Sequence, residues 1–241
     1  MIERLKKQQD KLLISERYQA WESVARKLAH EIKNPLTPIQ LSIDRLQEKY
    51  IDKISDGQSD FKNYLETINR QIKDIETLAN EFSNFARMPS PIMKKINIYT
   101  VLGRAVDFFK MSSNLRINLK SNSKEFFING DEEQLYRVFI NLIKNSNESF
   151  LEKKLKKADF KGKIDIDILF DNDYIRIIFI DNGTGITDFK KVMTPYFTTK
   201  KAGTGLGLPI VSKIINEHSG ELTLKNNEQG GLSINISMPK I

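Results

Sequence analysis

The sequence predicts an α-helical hairpin, of the kind that pairs as a dimeric four-helix bundle, followed by an α+β two-layer sandwich. Three observations carry that prediction. Apolar residues recur at alternating steps of three and four through residues 17–88. Met88-Pro89-Ser90-Pro91 then breaks the helical pattern. Beyond it, short strand-like runs alternate with helical stretches.

Composition narrows the class. With 39% hydrophobic and 29% charged residues over 241 positions, the chain can bury a substantial core. No run approaches the ~18 apolar residues of a membrane span, and the N-terminus shows no apolar signal region. The absence of cysteine excludes disulfides, thiol catalysis and cysteine metal sites, and fits a cytoplasmic setting. The net charge of +7 is carried by scattered lysines without interleaved aromatics, so no direct contact with nucleic acid is expected. The densest patch, Lys153-Lys154 and Lys156-Lys157, reads as a solvated helix end.

In chain order, residues 1–16 carry Leu5 and Leu12 a heptad apart and read as the end of an incoming coiled coil. A first long helix runs to residue 50, with Val24, Leu28, Ile32, Leu36 (or Pro35), Ile39, Ile43, Leu46 and Tyr50 as one buried face. Residues 51–59 form a turn. A second helix follows, with Phe61, Leu65, Ile68, Ile72, Ile75, Ala79, Phe82 and Ala86 on its apolar side. One hairpin has too little to bury this seam against, which predicts a homodimer.

Within the first helix stands His30-Glu31-Ile32-Lys33-Asn34-Pro35-Leu36-Thr37-Pro38. His30 lies two residues past Leu28, about 200° round the helix, so it should face solvent with Asn34 one turn above it. Pro35 and Pro38 remove two backbone donors and predict a bend beside it. Glu31 is placed to hold one ring nitrogen, leaving the other as a nucleophile.

After the break, residues 89–96 read as a linker and residues 97–241 as a second domain. Strand-like runs lie near 116–119, 126–129, 164–170, 174–180, 221–225 and 232–237, with helices near 100–111, 131–157 and 207–218. Four segments fit together as a nucleotide site. Asn141, Asn145 and Glu148 make a polar stripe beside an apolar helix face, and amide oxygens suit Mg²⁺. Asp181-Asn182-Gly183-Thr184-Gly185-Ile186 follows a strand, offering a carboxylate to an exocyclic amine. Pro195-Tyr196-Phe197-Thr198-Thr199-Lys200 adds an aromatic, hydroxyls and a cation. Gly203-Thr204-Gly205-Leu206-Gly207-Leu208 opens a helix and can nest an anion. His218, at a helix end, reads as a capping or cationic side chain.

In this order the four segments resemble the nitrogen, glycine and phenylalanine boxes of the GHKL ATP-binding fold. The helix around His30 resembles the H-box of sensor histidine kinases, closest to the nitrogen-regulation type. The resemblance spans residues 17–240. It implies a phosphoacceptor His30, with Glu31 orienting or deprotonating it and Asn34 positioning a water for the reverse reaction. It implies Asn145 as Mg²⁺ ligand with Asn141 in support and Lys144 near phosphate. Asp181 would read adenine beside Gly183, Gly185 and Ile186. Phe197, Thr198, Thr199 and Lys200 would border a lid, and Gly203, Thr204, Gly205, Leu206, Gly207 and Leu208 would wrap the phosphates. ATP, Mg²⁺, a homodimer and a response-regulator receiver domain follow as cofactors and partners. Residues 1–16 would be an incoming signalling helix and 17–88 the dimerisation and phosphotransfer domain. Any membrane attachment would come through segments absent from this chain. A GHKL ATPase driving conformational change, or a non-catalytic ATP-binding scaffold, are the competing readings.

Overall fold

A computed structural model describes residues 27–54, 56–86, 88–112, 115–195, 197–198, 204–228 and 230–241. The expected signalling helix at 1–16 lies outside them. The chain divides into two units, Met1–Pro89 and Ser90–Ile241, each with its own buried side chains. Among the described residues no helix is long and apolar enough to cross a membrane.

The first unit is a helical hairpin. Helix α1 covers 27–50, a short 3₁₀ turn follows at Ile51–Lys53, and α2 covers Gln58–Ala86. Leu36 and Ile43 from α1 pack with Leu65 and Ile72 from α2, and Phe61 lies against them. Gln40 adds a polar link across the hairpin, its Nε2 donating to Asn69 Oδ1 at 3.1 Å. Helical hydrogen bonding continues past Pro35 and Pro38, and the Ser42 hydroxyl donates back to the Pro38 carbonyl at 2.8 Å.

The single apolar face expected on each helix divides in two. Ala29, Leu36 and Ile43, a strict heptad, are buried, as are Leu65, Ile72 and Ala79 opposite. Ile39 stays 45% exposed and Ile68 44%, and Leu28, Ile32, Leu46, Tyr50 and Ile75 share that condition. Steps of three and four give a stripe wider than one partner helix covers, so one hairpin hides only half of it.

The second unit is the expected α+β sandwich. Its elements are β1 (Lys94–Asn97), α3 (Ile98–Ser112), β2 (Arg116–Ser121), β3 (Phe127–Gly130), α4 (Glu132–Lys156), β4 (Lys163–Asp171), β5 (Tyr174–Asp181), α5 (Phe189–Val192), α6 (Gly207–Glu217), β6 (Glu221–Asn226) and β7 (Leu232–Pro239). Five strands form a mixed sheet in the order β2-β4-β5-β7-β6, with β2 parallel to β4 and the other pairs antiparallel. Burial alternates along β4 and β5, so Ile164, Ile166, Ile168, Ile175, Ile177 and Phe179 share one covered face. Helices α3, α4 and α6 supply the facing layer, and Phe139 of α4 stacks on Phe179 of β5 at 6.0 Å. Asn172, at φ 54°, turns the β4–β5 hairpin.

Two elements depart from the sequence reading. The last residues of the 89–96 linker enter β1, which pairs antiparallel with β3. Helix α5, only four residues long, is held by Asp188 accepting from the Lys190 and Lys191 amides.

Candidate functional site

The strongest polar constellation centres on Asp181, where β5 ends. The residue is only 6% exposed. Oδ1 accepts from the Gly183 amide at 2.8 Å and the Leu232 amide at 3.1 Å, and Oδ2 accepts from the Ser146 hydroxyl of α4 at 2.9 Å. The backbone carbonyl of Asp181 accepts from Asn227 Nδ2 at 2.7 Å. A carboxylate so oriented keeps acceptor capacity on Oδ2 for one further donor.

The turn after Asp181 is clamped from α4. Ser149 Oγ accepts from the Thr184 amide at 2.7 Å. Lys153 Nζ donates to the carbonyls of Asn182 and Gly183, at 2.6 Å each. Lys153 is therefore half-buried and engaged, which corrects its assignment to a solvated helix end: Ser146, Ser149 and Lys153 are spaced three and four apart and share one helix face. Glycine is required where the backbones meet. A Cβ on Gly183 would stand 2.1 Å from Ser149 Oγ, and one on Gly231 would stand 2.0 Å from the Asp181 carbonyl oxygen. Gly185 has φ +71°, and Ile186 is held through both backbone groups by the Asn226 side chain at 2.8 Å each way.

A second part of the site lies where α4 meets α6. A Cβ on Gly207, the first residue of α6, would lie 3.4 Å from Asn145 Nδ2, so the asparagine amide sits against the helix start. Leu206, buried and apolar, provides no side-chain cap to that terminus. Without a side-chain cap among the described residues, the first-turn amides of Gly207 and Leu208 suit an external acceptor, and Pro209 has no amide to satisfy. Gly205 takes φ +68° on the approach. Asn141 is half-buried on α4, and Lys144 is exposed, 4.0 Å from Glu148. Thr204 is half-buried, whereas Thr198 is exposed and Phe197 donates its amide to the Thr194 carbonyl. Thr199, Lys200 and Gly203 lie outside the described residues.

In the first unit, His30, Glu31 and Asn34 are all exposed on α1. Glu31 turns toward Lys27, 3.9 Å away across one helical turn, a solvent-exposed pair that contributes little.

His218 bears out the capping half of its reading and corrects the cationic half. It is 3% exposed, its Nε2 accepts from the Asp131 amide at 2.8 Å, and its Nδ1 lies 2.8 Å from the Ile214 carbonyl. That pair of partners fixes the neutral tautomer with the proton on Nδ1. Burial holds its pKa below the ordinary value, against the opposing pull of the Ile214 carbonyl and the Asp131 carboxylate. Asp131 caps α4 through Gln134 and also accepts from the Ile92 amide at 2.8 Å. Burial tends to raise its pKa, but those backbone donors, the Glu133 amide and His218 together hold it low.

Sequence reasoning missed Ser146, Ser149, Lys153, Asn226 and Asn227. The three α4 residues had a signal, a second polar stripe beside Asn141-Asn145-Glu148. The two asparagines had none beyond turn composition.

Comparison with known proteins follows the same division. The family model described as "Histidine kinase-, DNA gyrase B-, and HSP90-like ATPase" matches residues 130–241, and the "His Kinase A (phospho-acceptor) domain" matches residues 20–91. An NtrY-like sensor histidine kinase of Rickettsia felis is 38% identical over 239 residues, covering 98% of this chain and 39% of that protein. The nitrogen regulation protein NtrY of Azorhizobium caulinodans is 34% identical over 221 residues, covering 91% of this chain and 28% of that protein. The chain thus spans about two-fifths or less of the length of these relatives. Among solved structures, histidine kinase ThkA in complex with the response regulator protein TrrA matches with a TM-score of 0.64 at 22% identity, covering 99% of this chain and 67% of that one, a likeness of fold.

Proposed function

The chain belongs to the sensor histidine kinases, and we propose that it phosphorylates His30 from ATP and passes the phosphoryl group to an aspartate of a response-regulator receiver domain. In this reading residues 1–16 bring in the signal, 17–88 form the dimerisation and phosphotransfer domain, 89–93 link, and the sandwich from β1 onward, 94–241, binds ATP. The observation that carries the reading is Asp181, a buried carboxylate fixed on three sides by Gly183, Leu232 and Ser146 with acceptor capacity left over. Such a group reads an exocyclic amine, and Gly183, Gly185 and Ile186 build the wall beside it.

The residues at the α4–α6 junction fit a nucleotide's phosphates and their counter-ion. The start of α6 at Gly207 and Leu208, with Thr204, Gly205 and Leu206 leading into it, offers amides and a positive dipole end to phosphate oxygens. Asn145 contributes a single amide oxygen there, with Asn141 in support and Lys144 near phosphate. One protein oxygen is enough for Mg²⁺, which keeps its waters and shares phosphate ligands. Bound there, Mg²⁺ supplies neutralisation of phosphate charge. Phe197, Thr198, Thr199 and Lys200 border the lid.

At α1, the exposed imidazole of His30 attacks the γ-phosphorus. The N–P bond forms as the bond to the ADP oxygen breaks, and ADP leaves with the electron pair. Glu31 orients the ring and accepts its proton, and Asn34 positions water for dephosphorylation of the regulator. A homodimer is supported by the uncovered stripe that includes Ile32, Ile39, Ile68 and Ile75. The receiver-domain partner is supported by the fold likeness to ThkA, whose solved complex contains TrrA. Nothing in the charge pattern calls for nucleic acid, and the reaction belongs to the cytoplasmic side of any membrane.

The test is incubation with γ-labelled ATP. The wild-type chain gains an acid-labile, base-stable label, whereas His30→Gln gains none and still binds ATP. Label that persists on His30→Gln overturns the assignment.

A further inference from the structure

Helix α4 presents two adjacent faces to two different places. Ser146, Ser149 and Lys153 hold the Asp181 turn, while Asn147, Phe150, Leu151 and Lys154, one position round, line a separate cavity of about 410 Å³. Its other walls are Leu115 and Arg116 at the start of β2 and the segment 160–162. The volume is in the range of small-molecule sites.

The lining is chemically one-sided. Phe150 and Phe160 lie with their ring centres 5.9 Å apart, and Phe150 packs so closely on Gly162 that a Cβ there would stand 2.3 Å from its ring. Arg116, Lys154 and Lys161 line the same cavity, no acidic residue does, and none of the three has an ion-pair partner among the described residues. Elsewhere in this unit Arg104 pairs with Glu132, Lys163 with Asp165 and Arg176 with Asp171. Three cations lining one cavity beside two aromatic rings suit an anion with an apolar body.

The cavity wall is also wired to the Asp181 turn. Asn182 Nδ2 donates to the Lys161 carbonyl at 3.0 Å, and Asn182 Oδ1 accepts from the Lys163 amide at 2.9 Å. Lys153, which clamps Asn182 and Gly183, stands 5.1 Å from the centre of the Phe160 ring. Segments 160–163 and 181–183 are therefore joined through the Asn182 side chain and Lys153.

We propose that this cavity is an effector site for a small organic anion with an aromatic or aliphatic body, and that its occupancy is linked to nucleotide binding beside Asp181. The linkage rests on the nucleotide reading given above; the anion site does not. Binding that stiffens segment 160–163 stiffens the turn that reads the base, so the two ligands favour each other.

The probe is 2-naphthalenesulfonate, titrated calorimetrically into the full 241-residue chain with and without the ATP analogue AMPPNP. One equivalent binds. Arg116→Glu combined with Lys161→Glu weakens it at least about tenfold, the loss of two charge-assisted contacts, and the milder Lys161→Gln weakens it in the same direction. Saturating probe tightens AMPPNP roughly fivefold or more, and Asn182→Ala cuts that gain to below about twofold while the probe still binds. Absence of probe binding, or binding indifferent to both sets of charge changes, overturns the site. Binding that leaves AMPPNP affinity unmoved overturns the linkage. A wild-type chain that fails to bind AMPPNP without probe sinks the nucleotide reading instead, and the probe titration then judges the anion site alone.

Discussion

Asp181 is surrounded by donors, so the position calls for a side chain that only accepts. In Asp181→Asn an NH₂ group must face the Gly183 or Leu232 amide or the Ser146 hydroxyl, and the base amine loses an ionised acceptor. A hydrogen bond to a charged group contributes about 1.5–3 kcal/mol, so AMPPNP affinity should fall about 10- to 100-fold by calorimetry; unchanged affinity would remove Asp181 from the site. His218 makes a prediction of opposite kind, about stability. Its folded pKa lies below its unfolded value of 6.5, so the unfolded chain takes up a proton that the folded chain refuses. Its contribution is fully present above about pH 6.5 and is lost as pH falls below that; Asp131, also held low, adds a further loss below about 3.8. Urea midpoints for unfolding of the second unit should drop between pH 8 and pH 5, and His218→Gln should flatten that drop. The sequence announced a helix end at His218 but not its environment. Asp131, whose amide makes the imidazole a buried acceptor, is 87 positions away in the chain.

At the scale of elements, α4 is the rod against which the nucleotide turn is set. Lys153→Met removes two donors to the turn without touching the proposed phosphate end at Asn145 and Gly207. The expected result is a KM for ATP raised about tenfold, equivalent to ~1.4 kcal/mol, with kcat at saturation nearly unchanged and partial recovery in Lys153→Arg. A lowered kcat at unchanged KM would mean that Lys153 acts elsewhere. Most elements were legible because their periods are strong: β4 and β5 alternate, and α3, α4 and α6 carry clear apolar faces. Strand β1 was hidden because Lys94-Lys95-Ile96-Asn97 is short, lysine-rich and adjoins a proline-bearing break; only pairing with β3 makes it a strand. The proposed site was legible where glycines and asparagines cluster in sequence. Ser146, Ser149 and Lys153 were not, since a polar helix stripe looks the same whether it meets water or a loop.

For the whole molecule, the unpaired half of the hairpin stripe sets the assembly. Ile68→Glu places a charge on that stripe while sparing the Leu36–Ile43–Leu65–Ile72 core. Sedimentation should show the wild type as a dimer and this variant shifted toward monomer, with AMPPNP binding retained; an unaltered dimer would mean another surface associates. The division at Pro89–Ser90 has a calorimetric consequence. A chain with two separately buried cores, only one of them completed by a second copy in the proposed dimer, has no single melting temperature. Its heat-capacity trace should resolve into two peaks. The peak from the helical unit should climb as protein concentration rises, and the peak from the sandwich should ignore protein concentration and climb when nucleotide is added.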